Sequence, residues 1–355
     1  MGCAKSKSLG MAPDGKPKGL RVWLDGCFDG PTYGHSDLCR QAAEFGLEVV
    51  VGIHSDEEIR KHKGNPVSTE AERYRLIAAC KWVTEVVKDA PYVTTQATLL
   101  KYNCQFAIHG NDMTYTDAGA DTYAEVKSLG LYRETERSLG VSTSNIIARI
   151  LHIANQDADS EEEANTPVAS YIGTWSMIAK FANHREPKPL DKVILVVGVF
   201  DIFHEGHIHF LEKAKEKGDY LLVGLFADET AKKLKGRAPI LTVCERALSV
   251  LAYKPADDVI VGLPHISVDV LERYNIHIVV NGTPKGRRSS PVNSQVNDPF
   301  AEAKKRDMYV EVDSGSNTTT TEIITRVVEK REMYEKRNRE KEQKEKALAK
   351  SSNLV

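Results

Sequence analysis

At 355 residues and 41% hydrophobic content, the chain holds enough apolar material for about two folded domains, each with its own core. A formal net charge of -2 provides no overall attraction to polyanions, which argues against a general DNA or RNA binder and leaves no nucleic acid among the expected partners. The six cysteines (Cys3, Cys27, Cys39, Cys80, Cys104, Cys244) form neither a CxxC pair nor a zinc spacing and fit a reducing, cytoplasmic setting, and no apolar run approaches the ~20 residues of a membrane span.

Taken in chain order, Met1-Gly-Cys-Ala-Lys-Ser6 matches the pattern for myristoylation at Gly2, with Cys3 placed for a palmitoyl group. Two acyl chains, or one with Lys5, Lys7, Lys16 and Lys18, would hold the chain on the cytosolic face of a membrane. An ordinary flexible tail over residues 1–18 is the other reading. Arg21-Val-Trp-Leu24 reads as a strand, and Asp25-Gly-Cys-Phe-Asp29 leads into Gly30-Pro-Thr-Tyr-Gly-His35 and a helix to about Phe45. The strand Glu48–Ile53 and the loop His62-Lys-Gly-Asn-Pro66 follow, and Thr69 and Glu72 are spaced as a capping box opening a helix near Arg73–Lys81. A strand at Phe106–His109 ends in Gly110-Asn-Asp112. Arg137-Ser-Leu-Gly-Val-Ser-Thr-Ser144 supplies hydroxyls that can cap a helix from about Asn145, closing a first domain at residues 19–154.

Residues 155–190 read as a linker, acidic over Asn155–Asn165, with a helix at Tyr171–Phe181 that packs on one domain. The second domain, 191–330, opens on the β-branched strand Val193-Ile-Leu-Val-Val197 and turns through Phe200-Asp-Ile-Phe-His-Glu-Gly-His207 into a helix. That turn places His204 and His207 at a helix N-terminus, where unpaired N–H groups and the positive end of the dipole favour an anion, with Gly206 free of a Cβ for close approach. A capping and a half-buried turn histidine are the plainer alternative. The charged run Glu329–Lys350 lacks an apolar face, so 331–355 reads as a solvated helix or frayed tail.

The second half repeats the first: 207 minus 35, 235 minus 63 and 282 minus 110 are each 172, pairing His207 with His35, Lys235 with Lys63 and Gly282 with Gly110. A period this long is a duplicated domain. Alternating strands and helices in each copy imply an α/β fold of two tandem Rossmann-like domains, each a parallel sheet with helices on both faces and a crevice at the strands' C-terminal ends.

The two HxGH-like turns, the HKG and LKG lysines and the RSLGVSTS run together resemble the cytidylyltransferases of phospholipid head-group synthesis. The tandem arrangement, with Val22–Cys27, Asp56–Gly64, Ala90–Thr94 and Asp313–Asn317, is similar to the ethanolamine-phosphate branch of that family over most of residues 20–340. The resemblance implies nucleotidyltransferase domains that join CTP and phosphoethanolamine into CDP-ethanolamine and pyrophosphate, with Mg2+ on the triphosphate. It implies catalytic roles for His204, His207 and Lys235, and for His35 and Lys63. CTP contacts are expected in the second copy at Val197, Gly198, Phe200, Gly206, Asn281, Gly282, Thr283, Ser316, Thr319 and Thr320. In the first copy they are expected at Gly26, Phe28, Thr32, Arg137, Thr143 and Ser144. Either lysine is otherwise a solvated surface charge, and Asp29 and Asp201 are turn formers, or in the case of Asp29 a partner for the small substrate.

Each copy departs from the family pattern. Thr32 replaces the first histidine of the first turn, and Ser314 stands where the second copy would carry an arginine. A threonine hydroxyl donates one hydrogen bond but carries no charge, so about 2–4 kcal/mol of transition-state stabilisation is at stake, by analogy with deleting one oxyanion donor. The second copy is therefore the expected principal CTP site. The alternatives are a pseudoenzyme that binds CTP, or an enzyme for phosphocholine or glycerol 3-phosphate; the absence of a long amphipathic membrane helix favours ethanolamine, and a homodimer is left open.

Overall fold

The computed structural model describes residues 20–30, 32–44, 48–111, 114–116, 119–136, 138, 142–156, 171–283 and 298–352. Gly2, Cys3 and Arg137 lie outside them. The first copy runs β1 (Arg21–Gly26), α1 (Tyr33–Glu44), β2 (Glu48–Ile53), α2 (Asp56–Lys63), α3 (Glu70–Ala79), β3 (Glu85–Lys88), α4 (Gln96–Lys101), β4 (Phe106–Gly110), α5 (Ala124–Ser128), β5 (Tyr132–Thr135) and α6 (Thr143–Gln156). After α7 (Tyr171–Phe181), the second runs β6 (Val193–Gly198), α8 (Glu205–Lys215), β7 (Tyr220–Phe226), α9 (Asp228–Lys235), α10 (Val243–Leu251), β8 (Asp258–Leu263), α11 (Val268–Arg273), β9 (Ile276–Thr283), α12 (Ala301–Lys305), β10 (Tyr309–Asp313), α13 (Thr320–Glu329) and α14 (Arg331–Ser352).

Each copy forms a five-stranded sheet, ordered β3-β2-β1-β4-β5 and β8-β7-β6-β9-β10, in which every pair is parallel. The first strand of each copy is central because its residues are apolar on both faces: Val22, Trp23 and Leu24 in β1 and Val193 to Val196 in β6 are buried. The chain winds to one side through β2 and β3, then returns to β4 on the other. The turn after β1 or β6 therefore lies at the switch point, where a parallel sheet opens a crevice.

Contacts among the described residues divide the chain into two compact units, residues up to 29 with 34–139, and 30–33 with 140 onward. The first holds the sheet β1–β5, with Trp23, Val50, Leu99 and Val126 in its core. The second holds β6–β10, with Leu195, Val197, Leu222, Phe226 and Val279 at its centre. Burying side chains of this size contributes about 1.5–3 kcal/mol each. The division precedes α6 instead of following it at 154, because α6 packs on α13 and α14. Arg149 of α6 also pairs with Glu245 at 2.8 and 3.0 Å. Helix α7 packs on α10 with Ile178 and Phe181 buried. The start of α14 docks in the second unit: Tyr334 is fully buried and the Asn338 side-chain amide donates to Ser144 O at 3.3 Å. A single buried tyrosine in a charged run produces no apolar stripe, which is why the sequence reads there as solvated. Among the described residues no helix is long and apolar enough to cross a membrane.

Candidate active site

At the end of β6 the chain makes a tight, strained turn. Phe200 lies at φ 52° and Ile202 at φ 45°, left-handed conformations that cost non-glycine residues about 1–3 kcal/mol each. Gly198 allows the first: a Cβ there would lie 2.8 Å from the Phe200 ring, which folds back over the strand. Long-range bonds hold the strain in place. The Asp201 carboxylate accepts the Ile240 and Leu241 N–H groups at 2.8 and 3.0 Å. The fully buried guanidinium of Arg246 donates to Val199 O, Phe226 O and the Asp228 carboxylate at 2.6, 2.8 and 2.6 Å. The first copy has the same frame. Phe28 is at φ 50° and Gly30 at φ 73°, Asp29 accepts from Val67 and Ser68 N–H at 3.0 Å each, and buried Arg73 donates to Cys27 O, His54 O and Asp56. Both aspartates are thus turn anchors, and they anchor to backbone about 40 residues on, not within the turn. Burial raises the pKa of Asp201 although those two N–H groups pull it down.

His204 caps α8. Its Nδ1 accepts the Gly206 N–H at 3.1 Å, so in the neutral ring Nε2 carries the proton and faces Thr320 Oγ1 at 3.4 Å; that hydroxyl in turn donates to Asp201 O at 2.9 Å. The His207 Nδ1 accepts the His204 N–H at 3.3 Å, leaving its proton on Nε2 as well. The rings stack with centroids 3.9 Å apart. Burial, then His204 and the charge of Lys235, push the His207 imidazole well below the ordinary histidine value, so it stays neutral. A neutral Nε2–H is a hydrogen-bond donor to phosphate that brings no charge of its own.

The loop before α13 closes the other side. A Cβ on Gly206 would run into the carbonyl oxygen of Thr318, so the glycine serves the approach of this loop to the helix, where the sequence had assigned it to a ligand. Two helix N-termini, α8 and α13, thereby meet. Thr319 caps α13 by accepting the Glu322 N–H at 3.2 Å. Ser314 is buried and turned into the loop, its hydroxyl donating to Ser316 O at 3.2 Å and accepting the Ser316 N–H at 3.3 Å. The hydroxyls of Thr318 and Ser316 point at the Glu205 carboxylate, 2.8 and 3.5 Å away.

The other second-copy residues divide. Lys235 ends α9, is exposed, and is near enough to act on His207. The Asn281 side chain bonds Tyr309 Oη at 3.1 Å at the end of β9. Gly282 makes room for the Phe210 ring, and Thr283 is buried, with its carbonyl held by the Ser314 N–H at 2.8 Å. Val197 is a buried residue of the core.

In the first copy, Gly26 and Phe28 repeat the folded-back ring, and His35 meets Phe28 edge-on at 5.5 Å. Lys63 is exposed, 5.9 Å from the Tyr92 ring centre, and its charge acts on Cys27, a thiol whose pKa is raised by burial. In the second unit, Thr32 is buried, Thr143 lies against Gly30, and Ser142 caps α6 by accepting the Asn145 N–H at 3.2 Å. Thr143 and Ser144 thus begin α6 as Thr320 and Thr321 begin α13.

A group that the sequence reading passed over stands beside the first turn. Asp25, buried in β1, accepts from Thr94 Oγ1 at 2.5 Å and from Tyr123 Oη, while Trp23 Nε1 donates to the same Thr94 oxygen at 3.1 Å. His54 is also buried, with Nδ1 3.1 Å from Ala90 O, and burial lowers its pKa. At the 172 offset Asp25 becomes Val197, Trp23 becomes Leu195 and His54 becomes Phe226. An acid directly after the apolar run Val22-Trp-Leu24 of the central strand was the available signal, and comparing the copies residue by residue exposes it.

A family model described as cytidylyltransferase-like matches residues 23–149 and 195–333. The ethanolamine-phosphate cytidylyltransferase of Mus musculus is 39% identical over 98% of this chain and 95% of its own length. That of Dictyostelium discoideum is 37% identical over 95% and 98%. Choline-phosphate cytidylyltransferase 2 of Arabidopsis thaliana is 42% identical, over 39% of this chain and 46% of its own. With two matched domains and relatives aligned along almost its full length, the chain belongs to the cytidylyltransferase-like family, in its tandem ethanolamine-phosphate cytidylyltransferase branch.

Proposed function

We propose that the protein transfers a cytidylyl group from CTP to phosphoethanolamine, giving CDP-ethanolamine and pyrophosphate for phosphatidylethanolamine synthesis. The observation that carries this is the extent of the likeness: the Mus musculus and Dictyostelium discoideum ethanolamine-phosphate relatives align over 98% and 95% of the chain and a choline-phosphate relative over 39%. The phosphomonoester oxygen attacks the α-phosphorus of CTP in line and pyrophosphate leaves, so the protein has to align two polyanions and offset growing negative charge. Neutral imidazole N–H groups and helix N-termini supply directed donors for that charge, and Lys63 or Lys235 supplies a mobile cation.

We assign the transfer to the first copy and nucleotide binding to both. Asp25, which accepts the hydroxyls of Thr94 and Tyr123, offers a buried carboxylate for the ammonium of phosphoethanolamine, and Val197 offers none. Magnesium would arrive with the triphosphate. Among the described residues no three His, Cys, Asp or Glu side chains form a group that could hold a metal ion. When bound, it would neutralise the charge shared by the β- and γ-phosphates. Acylation of Gly2, with Cys3 beside it, is proposed on the Met1–Ser6 pattern alone; alkyne-myristate incorporated by wild type and lost in Gly2→Ala is the expected result.

The test is CDP-ethanolamine formation from CTP, magnesium and phosphoethanolamine by wild type, His35→Ala and His207→Ala. Loss of about 100-fold or more in kcat with His35→Ala, and a smaller loss with His207→Ala, is expected. The reverse order would move the transfer to the second copy, and no product from the wild type would leave a protein that only binds nucleotide.

A further inference from the structure

This inference rests on reading the second copy as a nucleotide site. The hydroxyl donors that the loop before α13 would offer a phosphate there are already committed. The Thr320 proton goes to Asp201 O, and the Thr318 and Ser316 hydroxyls face Glu205 at 2.8 and 3.5 Å. Glu205 is the first residue of α8, between the two histidines, so its carboxylate enjoys the same N-terminal dipole that favours a bound anion. The first copy has Tyr33 at this position.

We propose that Glu205 sets the anion affinity of the second copy. Its carboxylate stands in the place of a phosphate on the hydroxyls of Ser316 and Thr318, and those hydroxyls rotate away from it before a polyphosphate can bond to them. Only hydroxyls and one side chain need turn. The loop backbone is held independently, by the fit of Thr318 O over Gly206, by the Ser314 hydroxyl and by the Thr319 cap. A carboxylate beside the site also repels the incoming anion, most strongly an anion of high charge, so the second copy is tuned to bind polyphosphate weakly.

The test titrates CTP, and separately inorganic pyrophosphate, with magnesium, into the full chain carrying His35→Ala to silence the first copy. Glu205→Gln, which keeps the shape and removes the charge, should bind both probes about tenfold more tightly and with less gain from added salt. Glu205→Asp, which keeps the charge, should stay within about threefold of the parent. Equal or weaker binding by Glu205→Gln overturns the proposal and makes Glu205 a brace between α8 and the loop. A further His207→Ala change separates the two ideas: if it leaves the titrations untouched, the bound anion is not in the second copy and the underlying reading fails.

Discussion

The two copies keep the same frame and differ in the side chains beside the turn. Phe28 and Phe200 share the strained turn, Asp29 and Asp201 the anchor to the following loop, and Arg73 and Arg246 the buried clamp on the strand ends. The helices after those loops open on the capping boxes Thr69–Glu72 and Thr242–Glu245. By contrast, at the 172 offset Asp25 corresponds to Val197, Thr32 to His204 and Tyr33 to Glu205. The bonds that hold the turn recur in both copies, so the frame is kept while the side chains beside it change.

The frame is where that equivalence breaks hardest. Arg246→Ala and Arg73→Ala each strand several buried carbonyls and a carboxylate, and a loss of about 3–5 kcal/mol is expected from either, read by urea denaturation. A large effect in one copy and a small one in the other would show that the frames are not equivalent. Next in size, Asp25→Asn should lower kcat/KM for phosphoethanolamine by about 10- to 100-fold while the KM for CTP stays put, the cost of losing one charge-assisted contact. An unchanged kcat/KM would take the amine away from Asp25.

Thr32→His sharpens the comparison in the other direction. The equivalent position already holds His204 buried, so the frame accommodates the ring, and a gain of about tenfold in kcat is expected from restoring the second imidazole. The smallest effect concerns pH. His207 has a folded-state pKa below its unfolded value, so the folded protein binds fewer protons in the window between them. Its contribution is complete above about pH 6.5 and is lost as the pH falls through the lowered value. Thermal unfolding should therefore show a drop in Tm below about pH 6.5 that is reduced in His207→Gln.

Much of this was legible from residue order, and the limits are instructive. The Tyr171–Phe181 helix has the bounds that its composition predicts, and the Thr69–Glu72 box forms as its spacing requires. The helix expected from about Asn145 begins at Thr143, because Ser142 supplies the cap. Gly206 was recognised as a place of close approach, but its partner is the backbone of Thr318, over 100 residues away. Nothing local marks Arg73 or Arg246, since residue order does not tell a buried guanidinium from an exposed one.

By itself the sequence determined that the molecule is a duplicated α/β fold with a tight turn into a helix after the first strand of each copy. Strand and helix periods, caps and a 172-residue repeat are short-range or self-referential patterns that survive without coordinates. Only the tertiary structure decided which donors are occupied. The Tyr123 hydroxyl reaches Asp25 across 98 residues, the Thr320 hydroxyl reaches Asp201 across 119, and Glu205 takes the Thr318 hydroxyl across 113. Hydrogen bonds fall off within a fraction of an ångström, so whether a polar residue is committed or available depends on where the folded chain places its partner.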